Sequence, residues 1–216
     1  MDTTGTIRNE EKEQERPEAA EQTSAFHAML SRMKYIPRWS LMRCARTESL
    51  SEHTAETAQI AYTLCCAGNA LFGSAARAEK VAAAALFHDA SEIITGDLPT
   101  PVKYRSEALR SAYKQIEREA AGELLEMLPE ALRPAMAPAL LAEDLTDEEK
   151  RLLKAADRLS AIIKCLVEKQ DGSSEFDSAY AQQRAALEEM HCPEADWFCC
   201  VMLPDYALTL DELTKK

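Results

Sequence analysis

Lys80-Val81-Ala82-Ala83-Ala84-Ala85-Leu86-Phe87-His88-Asp89 is the stretch that decides the fold of this chain. Alanine and leucine lose little side-chain freedom in a helix, so the first part reads as a packed apolar helix. His88 and Asp89 follow that run directly. Side chains of this kind are costly to bury unless something compensates them. A divalent cation compensates both, because it neutralises the carboxylate and accepts the imidazole lone pair.

Working outward, the pattern predicts one long helix from about Ala76 through His88-Asp89 to about Thr95. Gly96 stops it, and Asp97-Leu98-Pro99-Thr100-Pro101 reads as a rigid loop with two prolines. Upstream, Ser51 reads as an N-cap with Glu52 in the first turn. The helix that follows carries Ala55, Ala58, Ile60, Ala61 and Leu64 to about Gly68. Phe26, Met29, Leu30 and Met33 share one face of an earlier helix that ends at Pro37.

Downstream, an amphipathic helix is predicted from about Ser106 to Leu128, then a proline-bracketed piece from Glu130 to Ala137. Thr146 and Glu149 form a capping box. It launches a helix with Leu152, Leu153, Ala156, Leu159 and Ile163 inward, stopped by Asp171-Gly172. Ser174 is read as the cap of another helix to about Met190, and a last amphipathic segment holds Trp197, Phe198, Val201 and Met202. No stretch alternates as a strand would, so the fold class is all-α.

Composition agrees. The 216 residues include only 6 Gly and 9 Pro, and 46% are hydrophobic. No apolar run approaches the roughly 20 residues needed to cross a bilayer, and the N-terminus has no apolar signal core. The expected location is the cytoplasm. A formal net charge of -12 disfavours nucleic-acid polymers and anionic membrane surfaces as partners. It leaves room for a small anionic substrate. The 7 Cys lack metal-binding spacing and read as reduced, partly buried thiols. Residues 1–22 carry charge and almost no large apolar side chain, so they are expected to be a disordered acidic tail ahead of one domain over 23–216.

Two further ligand-type residues sit beside inward-facing Ala and Leu: His53 upstream and Asp157 downstream. Two imidazoles and two carboxylates suit Mn²⁺, Co²⁺, Fe²⁺ or Zn²⁺ better than Ca²⁺, and leave positions for water and substrate oxygens. Glu92 lies one helical turn after Asp89. The remaining histidines, His27 and His191, have no such company. The pattern points to metal-assisted hydrolysis.

The motifs carry a resemblance. Ser31-Arg32-Met33-Lys34, Arg38-Trp39, Leu41-Met42-Arg43, Arg46-Thr47-Glu48, Ser51-Glu52-His53, His88-Asp89-Ala90-Ser91-Glu92, Thr95 through Tyr104, Asp147 through Lys150 and Ala156-Asp157 are similar to the HD-domain phosphohydrolases. The Arg-Trp pair and the Gly-Asp-Leu-Pro-Thr-Pro loop resemble, more narrowly, the bacterial 5′-deoxynucleotidases of the YfbR type. The similarity runs from about residue 24 to near the C-terminus. The chain departs from the family in its extended N-terminus, in Ser40 where proline is frequent, and around Arg105.

The resemblance implies a compact multi-helix HD-domain bundle around a single divalent metal, Co²⁺ or Mn²⁺ first and Zn²⁺ or Fe²⁺ as further fits. It also implies a homodimer. By the same resemblance His53, His88, Asp89 and Asp157 hold the ion, and the reaction is hydrolysis of 2′-deoxyribonucleoside 5′-monophosphates to deoxynucleoside and phosphate. Water activated at the cation would attack phosphorus, a reaction that depends on charge neutralisation and positioning.

Glu92 would orient or deprotonate the attacking water, or pass a proton to the leaving O5′. Arg38 would grip phosphate with its planar fork. Trp39 would wall off the 2′ position and Asp97 bind the 3′-hydroxyl, with Leu98, Pro99 and Thr100 shaping the sugar pocket; His53, Asp89 and Asp157 also line the substrate site. Two other readings stay open: an HD phosphohydrolase acting on another nucleotide, and a nucleotide-binding sensor without turnover.

Overall fold

The computed structural model describes residues 23–103 and 105–215. The expected tail at 1–22 lies outside them. Among the described residues no strand forms; the one sheet-like contact is an isolated antiparallel bridge between Pro37 and Ser49.

Three helices make the centre: α2 (Leu50–Ala67), α3 (Ala78–Phe87) and α8 (Asp147–Gln170). α2 packs on both α3 and α8. Ala58, Ala61, Ala84, Ala85, Ala155 and Ala156 are buried where these helices meet, and their small side chains allow close approach. Leu64, Leu152, Leu159 and Ile162 fill the space between them and are fully buried. Each such burial stabilises by about 1.5–3 kcal/mol. Among the covering elements, α9 (Asp177–Glu188) and α10 (Pro193–Val201) close this core through Leu187, Ala195 and Phe198.

A smaller core joins α1 (Phe26–Leu30) to α6 (Glu107–Glu126) and α7 (Arg133–Leu140). It contains Phe26, Leu124, Leu128 and Leu140, with Ala90 fully buried at its edge and Phe87 packed against it. The predicted first helix is α-helical only to Leu30 and continues as a 3₁₀ turn through Tyr35, with Phe26 and Met33 buried.

Several boundaries differ from the sequence expectation. Ser49, not Ser51, caps α2: its hydroxyl accepts from the Glu52 N–H while Glu52 reaches back to the Ser49 N–H. The long helix expected through His88 ends at Phe87. His88 Nδ1 donates to the Ala85 carbonyl at 2.7 Å, occupying the acceptor that the Asp89 N–H would use in a continuing helix. Tighter turns follow, Ala90 N to Phe87 O and Glu92 N to Asp89 O, and lead into the short α4 (Glu92–Thr95).

Gly96, at φ 74°, ends α4 as expected. The predicted loop over 97–101 instead yields to the short α5 (Thr100–Lys103), whose first turn bonds back to the Pro99 carbonyl. The proline-bracketed piece extends to Leu140. Ser174 does not cap the next helix; the chain first buries Phe176, and α9 begins at Asp177. In α10 Phe198 faces the core, whereas Val201 and, just beyond the helix, Met202 are exposed. A last short helix, α11 (Leu210–Leu213), closes the described chain.

The capping box at Thr146 and Glu149 is present, and Asp171 ends α8 ahead of Gly172 at φ 85°. Glu149 also accepts from Arg77 at 2.6 and 2.8 Å, which ties the start of α8 to the start of α3. All seven cysteines are unbridged. Burial pushes the Cys65 and Cys165 thiols up to about 12, which makes them packing residues and not nucleophiles.

Candidate metal centre

The three central helices bring four polar side chains to one point. His53 comes from the first turn of α2, His88 and Asp89 from the turn that ends α3, and Asp157 from well inside α8. His53 Nε2 lies 3.2 Å from Asp157 Oδ1 and 3.6 Å from Asp89 Oδ2. His88 Nε2 lies 3.2 Å from Asp89 Oδ2 and 3.9 Å from Asp157 Oδ1.

Both imidazoles are set in the tautomer that presents a lone pair inward. The Ala85 carbonyl can only accept, so His88 Nδ1 carries the proton. His53 Nδ1 sits 3.0 Å from Ser160 Oγ, and Ser160 gives its own proton to Glu56 at 2.7 Å, so His53 Nδ1 is the donor there. Each Nε2 is buried with no hydrogen-bond partner, although carboxylate oxygens stand close. The donor atoms of His53, His88 and Asp89 lie within 4.8 Å of one another, and Asp157 stands outside that mutually close group but puts Oδ1 beside both imidazoles at 3.2 and 3.9 Å. The donor set fits a divalent cation.

The surroundings fit the same reading. Lys154 bonds Asp157 Oδ2 at 2.6 Å and leaves Oδ1 turned towards the histidines. Burial works against the Asp157 charge, but Lys154 and the two imidazoles more than offset it and hold the carboxyl well below its usual range. For Asp89 burial is again outweighed, here by His88 and His53, and its pKa is lowered. Burial lowers the His53 pKa, helped by Arg38. Burial also opposes the charged form of His88, but Asp89 and Asp157 overcome it and raise that pKa.

Glu92 is buried beside this cluster, and its Oε2 has no hydrogen-bond partner. Burial, then the charges of Asp89 and Asp97, push its pKa up to about 9, with Arg38 and Lys103 opposing. A carboxyl so placed keeps its proton near neutral pH in the metal-free protein.

Arg38 reaches the centre from a loop between the 3₁₀ turn and α2, with Nη1 3.4 Å from Asp89 Oδ2. Next to it Trp39 adopts φ 59°, and its ring packs edge-on against the buried Phe176 at 5.4 Å. Asp97 follows Gly96 and is half-buried; burial and then Asp89 raise its pKa, against Arg38 and Lys103. Leu98 and Pro99 are half-buried alongside, and Thr100 opens α5. His27 is exposed, and neither it nor His191 joins the cluster.

Sequence reasoning missed Ser160, Glu56, Lys154 and Glu48. Ser160 follows Asp157 by one turn of α8, and Glu56 follows His53 in the same way on α2. A polar residue repeating the helical period of a candidate ligand was the available signal. Glu48 stood in the Arg46-Thr47-Glu48 motif, but only the loop geometry brings it to Arg38 and Trp39.

Comparison with known proteins agrees with the geometry. The family model "5′-deoxynucleotidase YfbR-like" matches residues 25–206. The 5′-deoxynucleotidase YfbR of Escherichia coli is 45% identical over 192 residues, covering 89% of this chain and 96% of that protein. Among solved structures, an HD-domain phosphohydrolase from Listeria innocua aligns with TM-score 0.73 at 24% identity, over 88% of this chain and 95% of its own. The cyanophage S-2L HD phosphohydrolase DatZ, bound to dA and one catalytic Zn²⁺ ion, aligns with TM-score 0.53 at 21% identity, over 76% of this chain and 80% of its own. With the matched family spanning nearly all of the described residues, and with an all-α HD-domain fold around a His-His-Asp cluster, this chain belongs to the YfbR-like family of 5′-deoxynucleotidases, phosphoric monoester hydrolases.

Proposed function

We propose that the chain hydrolyses 2′-deoxyribonucleoside 5′-monophosphates to deoxynucleoside and phosphate, using one divalent cation held by His53, His88, Asp89 and Asp157. The observation that carries this reading is the pair of buried, unpartnered Nε2 atoms directed at Asp89 and Asp157, with Glu92 beside them. The E. coli relative is named for this activity, which supports the substrate class.

When bound, the cation supplies Lewis acidity towards phosphate and water. The protein does the rest by placement. Arg38 binds phosphate oxygens, its Nη2 edge being outside the contacts to Glu48 and Asp89. Glu92 holds a proton and delivers it to O5′ as the P–O5′ bond breaks, so the deoxynucleoside leaves neutral. In the reverse protonation state the same carboxyl orients the attacking water. Asp97 accepts the 3′-hydroxyl, and Trp39, anchored on Phe176, excludes a 2′-hydroxyl, with Leu98, Pro99 and Thr100 shaping the pocket.

On the resemblance alone, Co²⁺ or Mn²⁺ as the resident ion, a homodimer and a cytoplasmic location belong to the same proposal. No helix among the described residues is long and apolar enough to cross a membrane. The test is a phosphate-release screen over ribo- and deoxynucleoside monophosphates with Co²⁺, Mn²⁺, Mg²⁺ and Zn²⁺, run beside Glu92→Ala. Turnover of dAMP and dTMP with little of AMP is expected. Equal rates on both sugars remove the sugar-selective part, and no turnover with any of these ions overturns the reading.

A further inference from the structure

We propose that Glu48 is a positioning residue that sets the discrimination between deoxyribose and ribose by pinning Arg38 and Trp39 to a single carboxylate oxygen. The inference rests on the reading that Arg38 grips phosphate and Trp39 faces the sugar. Glu48 Oε2 accepts from Arg38 Nε at 3.1 Å and from Trp39 Nε1 at 3.1 Å. The Glu48 carbonyl also accepts from the Arg38 N–H at 2.9 Å. The loop is closed just beyond, where Pro37 bridges Ser49 and the Leu50 N–H bonds the Ile36 carbonyl.

Neighbouring residues in extended chain send their side chains to opposite sides. Here both converge on one atom, and Trp39 sits in the left-handed backbone region at φ 59°. A bulky aromatic residue rarely adopts that conformation without something holding it. Glu48 is that hold: its side chain is only 12% exposed and carries both bonds. Phe176 supports the indole ring but offers no acceptor for its N–H.

The two anchored groups do different work. Arg38 extends past Glu48 to Asp89, so the Glu48 bond at Nε fixes the fork relative to the metal centre. Trp39 has to present a rigid wall, because a wall that yields by a fraction of an ångström admits the extra oxygen of a ribose. Loss of Glu48 therefore acts on selectivity more than on the metal centre. Glutamine keeps one accepting oxygen without the charge, so Glu48→Gln weakens the clamp, while Glu48→Ala removes it.

The experiment compares wild type, Glu48→Gln and Glu48→Ala, each carrying Trp197→Phe so that Trp39 is the sole indole. It reads kcat/KM for dAMP and AMP, acrylamide quenching of Trp39, and Mn²⁺ affinity by chelator competition. In Glu48→Ala the preference for dAMP is expected to fall by about tenfold or more, with KM for dAMP raised and quenching increased. Glu48→Gln should fall between, by about threefold, and Mn²⁺ affinity should stay within about twofold of wild type in both.

A selective wild type with unchanged preference in the variants overturns the role of Glu48 alone, as does an equal loss on both substrates. If Glu48→Ala fails to fold, Glu48→Gln decides the matter by the same ratio. An unselective wild type overturns the sugar reading, and the Glu48 proposal with it.

Discussion

His53 Nδ1 and Ser160 Oγ lie 3.0 Å apart inside the core, joining the first turn of α2 to α8 behind the metal centre. Because Ser160 spends its own proton on Glu56, the imidazole has to donate, and its other nitrogen is left as a lone pair facing Asp157. A hydroxyl thus decides which face of a buried ring is ready for a cation.

Replacing Ser160 by alanine removes the nearer partner of His53 Nδ1 and leaves only Thr57 Oγ1, at 3.5 Å, to orient the ring. Mn²⁺ or Co²⁺ affinity is expected to fall by about 10- to 100-fold, the usual effect of removing an outer partner of a ligating histidine. Chelator competition on the purified variant measures this; an unaltered affinity rejects the relay.

Cation binding should appear as stability. A ligand present at about 100 times its Kd stabilises the native state by about 2.7 kcal/mol. For a chain of this size that corresponds to a Tm higher by roughly 5–10 °C, lost on adding EDTA. The shift should vanish in His88→Ala and Asp157→Asn, and persistence of the full shift in both would remove those residues from the ligand set.

Glu92→Gln should cut kcat by about 10²–10⁴-fold while the cation content is retained. It should also stabilise the metal-free protein. The native carboxyl titrates at about 9, and an unfolded one near 4.3, so between those values the native state holds a proton that the unfolded state has released. Stability from this group is therefore full below about pH 4 and declines as pH rises towards 9. Glutamine has nothing to release, and urea titrations of the metal-free variant at pH 8 should show a gain of about 1–3 kcal/mol. A loss of stability there contradicts the buried, uncompensated state of Glu92.

Glu149 gives the opposite sign. The Arg77 side chain is the main cause of its depressed pKa, which the Thr146 and Arg77 N–H bonds lower further, against burial. Its contribution is present above the unfolded value near 4.3 and is lost as pH falls towards the native one. Glu149→Gln is expected to cost about 2–3 kcal/mol at pH 7, from the lost cap and the stranded guanidinium. Its acid-unfolding limb should be shallower than that of wild type, as read by circular dichroism between pH 2 and 5.

Much of this architecture was legible as pattern. The four proposed ligands stood out because His88 and Asp89 close an Ala/Leu run and His53 and Asp157 lie near inward-facing Ala and Leu, and the helix stops at Gly96 and Asp171-Gly172 followed from backbone chemistry. The helix break at His88 was not legible, since it depends on the imidazole taking the Ala85 carbonyl. Ser49 was recoverable: a capping box needs an acid three residues on, and Glu52 stands at that distance from Ser49 and not from Ser51. Glu48 was visible as part of a motif, but its pairing with Arg38 and Trp39 was not, because sequence spacing says nothing about how a loop folds back on itself.

The turn after Phe87 places Asp89, a proposed ligand, directly before Ala90, which is buried in the smaller core that also holds Leu124 of α6. Repacking that outlying core would therefore shift Asp89 relative to His53 and His88. A library built to harden the molecule against heat should treat Ala90 and Leu124 as part of the enzyme's working machinery, however remote α6 looks from the chemistry.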